Sequence, residues 1–341
     1  MIYPWQQSTW SRIQLERQRL PHAMLLRGQS GIGKLDFATE LAQSLLCLTP
    51  KHDGFACGQC ESCHWFSQSN HPDFRLLSPD NGDDEEGEST TSTKSKKKTK
   101  KANILVEQIR ALGQFLTLSS HRANATRVLL ITPAETLNEV SANALLKVLE
   151  EPPAGLIFIL VCHEPQRLLP TILSRCHQIA MPNPLREDAI AWLHEQSQLP
   201  LADLAVAVDY MGGSPIRTLQ KLEQNEVIPH PIFEQLAKGA KCDYNLLAAL
   251  LNATKQDDIG MVEALNILQK WCYDLVSYLL TGKVYYHFSM VNLISKLSKN
   301  CALNLLLDFH KTVTESKRFA THPLITDLQL ESLALQYTKL F

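Results

Sequence analysis

Glycines at 28, 31 and 33, followed at once by a lysine, constrain this chain more than any other feature. They demand a strand that ends in a tight turn and opens directly into a helix. The segment reads Gly28-Gln29-Ser30-Gly31-Ile32-Gly33-Lys34-Leu35. A loop that cradles nucleotide phosphates has Gly, four residues, Gly-Lys, and then a Ser or Thr whose hydroxyl holds magnesium. Leu35 stands in that last place and has no oxygen to offer a hard cation. Gly28, Gly31, Gly33 and Lys34 are therefore candidate nucleotide-binding residues of a degenerate site, at which ATP could be held but not hydrolysed. The flanks agree. Ala23-Met24-Leu25-Leu26 reads as a short buried strand, and Phe37, Ala38, Leu41, Ala42, Leu45 and Leu46 recur at the helical period. A glycine-rich turn that binds nothing is the alternative these residues leave open.

Hydrolysis of ATP on such a loop also needs an acidic residue at the end of a later strand. The candidate strand, Val128-Leu129-Leu130-Ile131, runs into Thr132-Pro133-Ala134-Glu135, with no acid at Thr132 or Pro133. Strand residues rise about 3.3 Å each, so Glu135 is expected too far along to substitute. With two catalytic positions vacant, the chain is not expected to turn over ATP efficiently.

At 341 residues the chain has room for two or three domains. A net charge of −2 argues against wholesale coating of nucleic acid, which needs many phosphate contacts. No apolar run approaches the roughly 20 residues that span a bilayer, and Met1-Ile2-Tyr3-Pro4-Trp5 lacks the features of a signal peptide. The expectation is a cytoplasmic protein with no membrane partner.

Four of the nine cysteines, Cys47, Cys57, Cys60 and Cys63, crowd into one segment, the last three as Cys-x-x-Cys-x-x-Cys. In a reducing compartment that pattern reads as a metal site. Four thiolates suit tetrahedral zinc, and four protein ligands make the site structural. His52, His64 or His71 could replace one cysteine. The remaining five, Cys162, Cys176, Cys242, Cys272 and Cys301, are scattered and read as small buried residues.

The zinc module, residues 47–63, is followed by a charged segment, 79–102, which pairs an acidic run with Lys94-Ser95-Lys96-Lys97-Lys98-Thr99-Lys100-Lys101. It has too little apolar surface to offset its ordering entropy and reads as a disordered loop. Leu105, Ile109, Leu112 and Leu116 then share one helical face. A helix through 142–149 and the apolar run Leu156 to Val161 complete an alternation of strands and helices, which implies a parallel sheet covered on both faces. From Leu185 the pattern turns helical and stays so. The division expected is an α/β domain over 1–181, a small helical unit over 182–225 and an all-helical domain over 226–341.

Asn143-Ala144-Leu145-Leu146-Lys147 through Glu150-Glu151-Pro152-Pro153, with Leu173-Ser174-Arg175-Cys176 and the cysteine module after the phosphate-loop helix, resembles the bacterial clamp-loader proteins of the AAA+ superfamily. The blank acidic motif at Thr132-Pro133 is similar to the non-hydrolysing kind of subunit and not to the ATP-hydrolysing tau/gamma kind. The resemblance implies a P-loop AAA+ domain carrying zinc, a helical lid and a helical collar that joins a ring. It implies an arginine finger, Arg175, which reaches into a neighbour's ATP site. It also implies tau/gamma and delta subunits of the DNA polymerase III holoenzyme as partners, with the sliding clamp and primed DNA met through the complex. Arg217, in Gly213-Ser214-Pro215-Ile216-Arg217, stands where the lid arginine of active AAA+ proteins would sense nucleotide. Two alternatives stand beside this: an active AAA+ ATPase, and a zinc-dependent nucleic-acid-binding protein that grips DNA through the cysteine module and the Lys94 to Lys101 run.

Overall fold

A computed structural model of the protein describes residues 2–79, 103–117, 126–224, 230–254, 260–318 and 326–341. The charged segment 79–102 lies, apart from Pro79, outside the described residues. The chain separates into two compact units, Met1–Leu185 and Arg186–Phe341.

The first unit is built on five strands: β1 (Ala23–Arg27), β2 (Phe74–Leu77), β3 (Arg127–Ile131), β4 (Leu156–Cys162) and β5 (His177–Ala180). They form one sheet in the order β2-β3-β4-β1-β5, with every pairing parallel. The apolar runs of the sequence become the three central strands, β3, β4 and β1. Outermost β5 buries Ile179 alone.

Helices cover both faces, and side-chain alternation along the strands decides which residue meets which. Leu25, Leu129, Phe158 and Leu160 join one core with Ile109, Leu116, Ala142, Leu145, Leu149 and Ile172. These belong to α4 (Val106–Ala111), α5 (Gly113–Thr117), α6 (Glu139–Glu150) and α7 (Pro170–Leu173). Met24, Leu26, Val128, Leu130, Ile159 and Val161 join the other, with Trp10, Ile13, Phe37, Ala38, Leu41 and Ala42. These come from α1 (Gln7–Leu15) and α2 (Lys34–Leu46), after which α3 (Glu61–Ser67) follows the cysteine segment. The single helical face expected from Leu105 to Leu116 is in fact divided between α4 and α5 at Leu112-Gly113. A glycine weakens a helix interior by about 1 kcal/mol, and Ile109 and Leu116 still reach the same core from the two pieces.

The second unit is helical throughout its described residues: α8 (Arg186–Ser197), α9 (Leu201–Tyr210), α10 (Pro215–Glu223), α11 (His230–Leu236), α12 (Tyr244–Ala253), α13 (Gly260–Thr281), α14 (Val291–Ser298), α15 (Leu303–Arg318) and α16 (Thr326–Thr338). The division expected near 225 falls on 225–229, outside the described residues. Its core gathers around Trp271 and Tyr337, both fully buried. Their polar atoms are satisfied in series: Trp271 Nε1 donates to Tyr337 Oη at 2.8 Å, which donates to Leu236 O at 2.6 Å. Trp271 and Tyr337 thus fill the interior with neither of their own donors orphaned.

Candidate phosphate loop, cysteine cluster and exposed arginine

The phosphate loop leaves the carboxyl end of β1 and closes onto α2. Gly33 caps that helix in the left-handed region, at φ 83°, and Gly31 has φ 75°, a backbone that side chains resist. Gly28 is needed for a different reason, since a Cβ there would lie 3.2 Å from Met181 O. Lys34 is the first residue of α2, and its Nζ donates to Gly28 O at 2.7 Å and to Gln29 O at 2.6 Å. The ammonium is thus folded onto its own loop. The N-terminal segment closes the loop from another side. Trp5 Nε1 donates to Ile32 O at 2.9 Å, and Gln6 Nε2 donates to Ile32 O and Gly33 O at 2.8 and 2.9 Å.

Strand register decides what faces the loop. Arg27 pairs with Cys162, and Gly28 N donates to Cys162 O at 3.3 Å. The end of β4 therefore lies beside the glycines. Ile131 pairs with Leu160, which brings in the segment after β3. Glu135 corrects the sequence expectation. The chain turns back through a 3-10 turn at Ala134–Thr136, so the strand rise does not apply. Glu135 is buried and accepts from His163 N at 3.0 and 3.2 Å. Burial lowers Lys34 to about 8, opposed by the negative charge of Glu135. Burial, then Glu135, pushes the Cys162 thiol up to about 12. Burial, then Lys34, lowers His163, whose Nδ1 is buried without a partner. Leu35 is 43% exposed and offers no oxygen. Loop, lysine, Glu135, Cys162 and His163 form one cluster. It could hold phosphate oxygens, but at the position after the lysine it has no ligand for a metal ion.

Cys47, Cys57, Cys60 and Cys63 come together with their sulfurs within 4.8 Å of one another. Cys47 and Cys60 are 3.9 Å apart at sulfur, as are Cys57 and Cys63. A tetrahedron with Zn–S of about 2.3 Å has sulfur edges of about 3.8 Å, so the donor set fits zinc in size as well as chemistry. Backbone N–H groups support the sulfurs: Cys57 N donates to Cys47 Sγ at 3.2 Å and Cys60 N to Cys57 Sγ at 3.3 Å. A hydrogen bond from Thr49, then those from Gln59 and Cys60, lowers Cys57 to about 5. The histidines do not join. His71 spends Nε2 on Ser62 Oγ at 2.8 Å and Nδ1 on Asp73 N at 3.0 Å, and His64 Nε2 lies 3.1 Å from Gln68 Nε2. Neither His52, His64 nor His71 belongs to the metal-ligating group found among the described residues.

Arg175 follows α7 and precedes β5. Its NH1 donates to Thr171 O at 3.1 Å, and its NH2 pairs with Glu150, the last residue of α6. The two side chains are 35% and 49% exposed. A charged fork just beyond a short helix, with an accessible partner, can exchange that partner for another anion. Arg217 lies on α10, in the second unit.

The sequence model of the family described as "DNA polymerase III, delta subunit" matches residues 5–184, a span that holds the sheet, the loop, the cysteines and Arg175. The chain belongs to this DNA polymerase III subunit family. The DNA polymerase III subunit delta' of Pseudomonas aeruginosa is 39% identical over 222 residues, 65% of this chain and 61% of that protein. The subunit delta' of Escherichia coli is 30% identical over 254 residues, 73% of this chain and 70% of that protein. The match thus spans 61% of the length of the Pseudomonas relative. Among solved structures, a DNA polymerase III gamma subunit-related protein from Thermotoga maritima aligns over 98% of this chain and 99% of its own, at 16% identity and a TM-score of 0.41. In this delta prime family member sequence reasoning misplaced Glu135 and missed Trp5 and Gln6. Trp5 and Gln6 act through loop carbonyls distant in sequence and carry no motif. No helix among the described residues is long and apolar enough to cross a membrane.

Proposed function

We propose that this chain is the delta prime subunit of a DNA polymerase III clamp loader, a non-hydrolysing stator that serves a neighbour's ATP site. The observation that carries the reading is the presentation of Arg175. It is held by Thr171 O and Glu150 at the end of a rigid turn, with its side chain 35% exposed. In the ring it leaves Glu150 for the terminal phosphate of ATP bound to a tau/gamma neighbour, where a planar fork stabilises developing phosphoryl charge. Its own phosphate loop lacks the magnesium hydroxyl, and Lys34 is spent on Gly28 and Gln29, so ATP held there is not hydrolysed. The four cysteines hold a structural zinc ion that ties the 47–63 module together. The domain over 1–181 is the AAA+ base, 182–225 the lid and 226–341 the collar, and Arg217 belongs to the lid. Through the delta and tau/gamma subunits the complex opens the sliding clamp and places it on primed DNA in the cytoplasm.

The test is DNA- and clamp-stimulated ATP hydrolysis by a reconstituted loader carrying Arg175→Ala. Turnover at the site served by this chain should fall on the order of a thousandfold, with the complex intact by gel filtration. An unchanged rate in an intact complex would remove the finger. Steady-state turnover by the isolated chain would instead favour an active ATPase, with Glu135 as its acid.

A further inference from the structure

The four sulfurs of the cysteine cluster come from two pieces of chain that differ in how they are held. Cys57, Cys60 and Cys63 share one short stretch that leads into α3, with Cys60 as the cap of that helix. Cys47 caps the far end of α2 and is joined to them by 48–56, which has neither helix nor strand. An irregular segment loses conformational entropy when its ends are brought together, and its backbone groups need partners from elsewhere.

Those partners come from residues that are not ligands. Buried Trp10 of α1 donates from Nε1 to Asp53 O at 3.0 Å and stacks on Phe55 with ring centroids 4.7 Å apart. The same ring meets Phe37 of α2 edge-on at 5.7 Å, so it is wedged between that helix and the segment. Arg17, in the 3-10 turn Arg17–Arg19 after α1, donates from NH2 to Ser44 O at 2.5 Å. Its NH1 donates to Ser44 Oγ at 2.6 Å and to Gly54 O at 3.4 Å, and Ser44 Oγ donates to Gly54 O as well. Ser44 precedes Cys47 by one turn of α2, and Gly54 stands as far ahead of Cys57. One guanidinium thus ties together the approaches to two ligands. Within the module itself, Ser62 Oγ donates to Leu46 O at 2.7 Å, which joins the residue before Cys63 to the residue before Cys47.

We infer that α1 and the turn after it position the metal site: Trp10 and Arg17 hold the 48–56 segment so that Cys47 meets the other three thiolates, and they thereby set the site's affinity for zinc. The inference rests on the reading of the four cysteines as zinc ligands. Binding to a segment that is not already ordered carries the cost of ordering it. Supports that never touch the metal accordingly change metal affinity by about ten- to a hundredfold.

Zinc affinity of the full chain is measured by competition with a chromophoric chelator, and the thiolate site is read from the visible absorption of Co2+ bound in place of zinc. Arg17→Gln and Trp10→Leu should each weaken zinc binding by about tenfold or more. Trp10→Phe, which keeps the stack on Phe55 and loses the N–H, should fall between wild type and Trp10→Leu. Ile109→Val removes a buried methyl from the core on the other face of the sheet; it should lower the melting temperature and leave zinc affinity unchanged. Should Trp10→Leu fail to fold, the half-buried Arg17 decides. The positioning role is overturned if the wild type binds zinc and Arg17→Gln binds it equally well, or if Ile109→Val loses as much affinity as Arg17→Gln. A wild type that takes up neither Zn2+ nor Co2+ removes the zinc reading itself, and the positioning role with it.

Discussion

Lys34 and Lys270 are both lysines whose surroundings favour the neutral amine, each lowered to about 8. Between that value and the unfolded value near 10.4, the unfolded chain binds the extra proton, so these two groups make stability rise with pH through that window. Buried thiols and tyrosines run the other way in the same range, so the comparison must be differential. Lys270→Met should therefore be more stable than wild type at pH 7, and its advantage should shrink as pH is raised from about 8 to 10, as read from urea midpoints. A constant difference would mean that Lys270 is not strained in the fold. At the loop, Gly33→Ala places a side chain at φ 83° and should cost about 1–2 kcal/mol, measured as a fall in urea midpoint at unchanged slope. The glycines and Lys34 were legible in the sequence because their spacing is the mechanism. Glu135 was not, because a count along an extended strand misses a chain that doubles back in a 3-10 turn.

Elements here begin and end where local chemistry says they should, and most were readable for that reason. Asn138 caps α6 by accepting from Ser141 N at 2.7 Å, ahead of the stretch that carries Leu145 and Leu149 into the core. Asn138→Ala should cost about 1 kcal/mol, seen in thermal melts, whereas Glu139→Gln next to it should change little. The apolar runs of β1, β3 and β4 announced a two-faced parallel sheet. The break between α4 and α5 was harder to read, because a hydrophobic stripe continues across Gly113 even where the helix does not. The cysteine cluster was legible as a set. Of its histidine alternatives, His64 and His71 are engaged in hydrogen bonds, the Ser62–His71 pair above all, that spacing does not encode.

For the molecule as a whole, the two compact units differ in what they depend on. The four clustered cysteines lie in the first unit, whereas the second rests on an apolar core around Trp271 and Tyr337. Chelation of metal should lower the melting of the first unit and open residues 47–63 to protease, while the second unit keeps its transition. Cys57→Ser should reproduce the chelator's effect. Loss of both transitions together would contradict this account. A consequence of the sheet's alternation reaches beyond this chain. Leu25 and Leu26 are neighbours in sequence, yet one belongs with α6 and the other with α2. In an alignment of relatives, substitutions at these adjacent positions should vary independently of each other. Each should instead covary with its distant partners, Leu25 with Leu145 and Leu26 with Leu41, so that the two faces of the sheet drift as separate lineages of compensation.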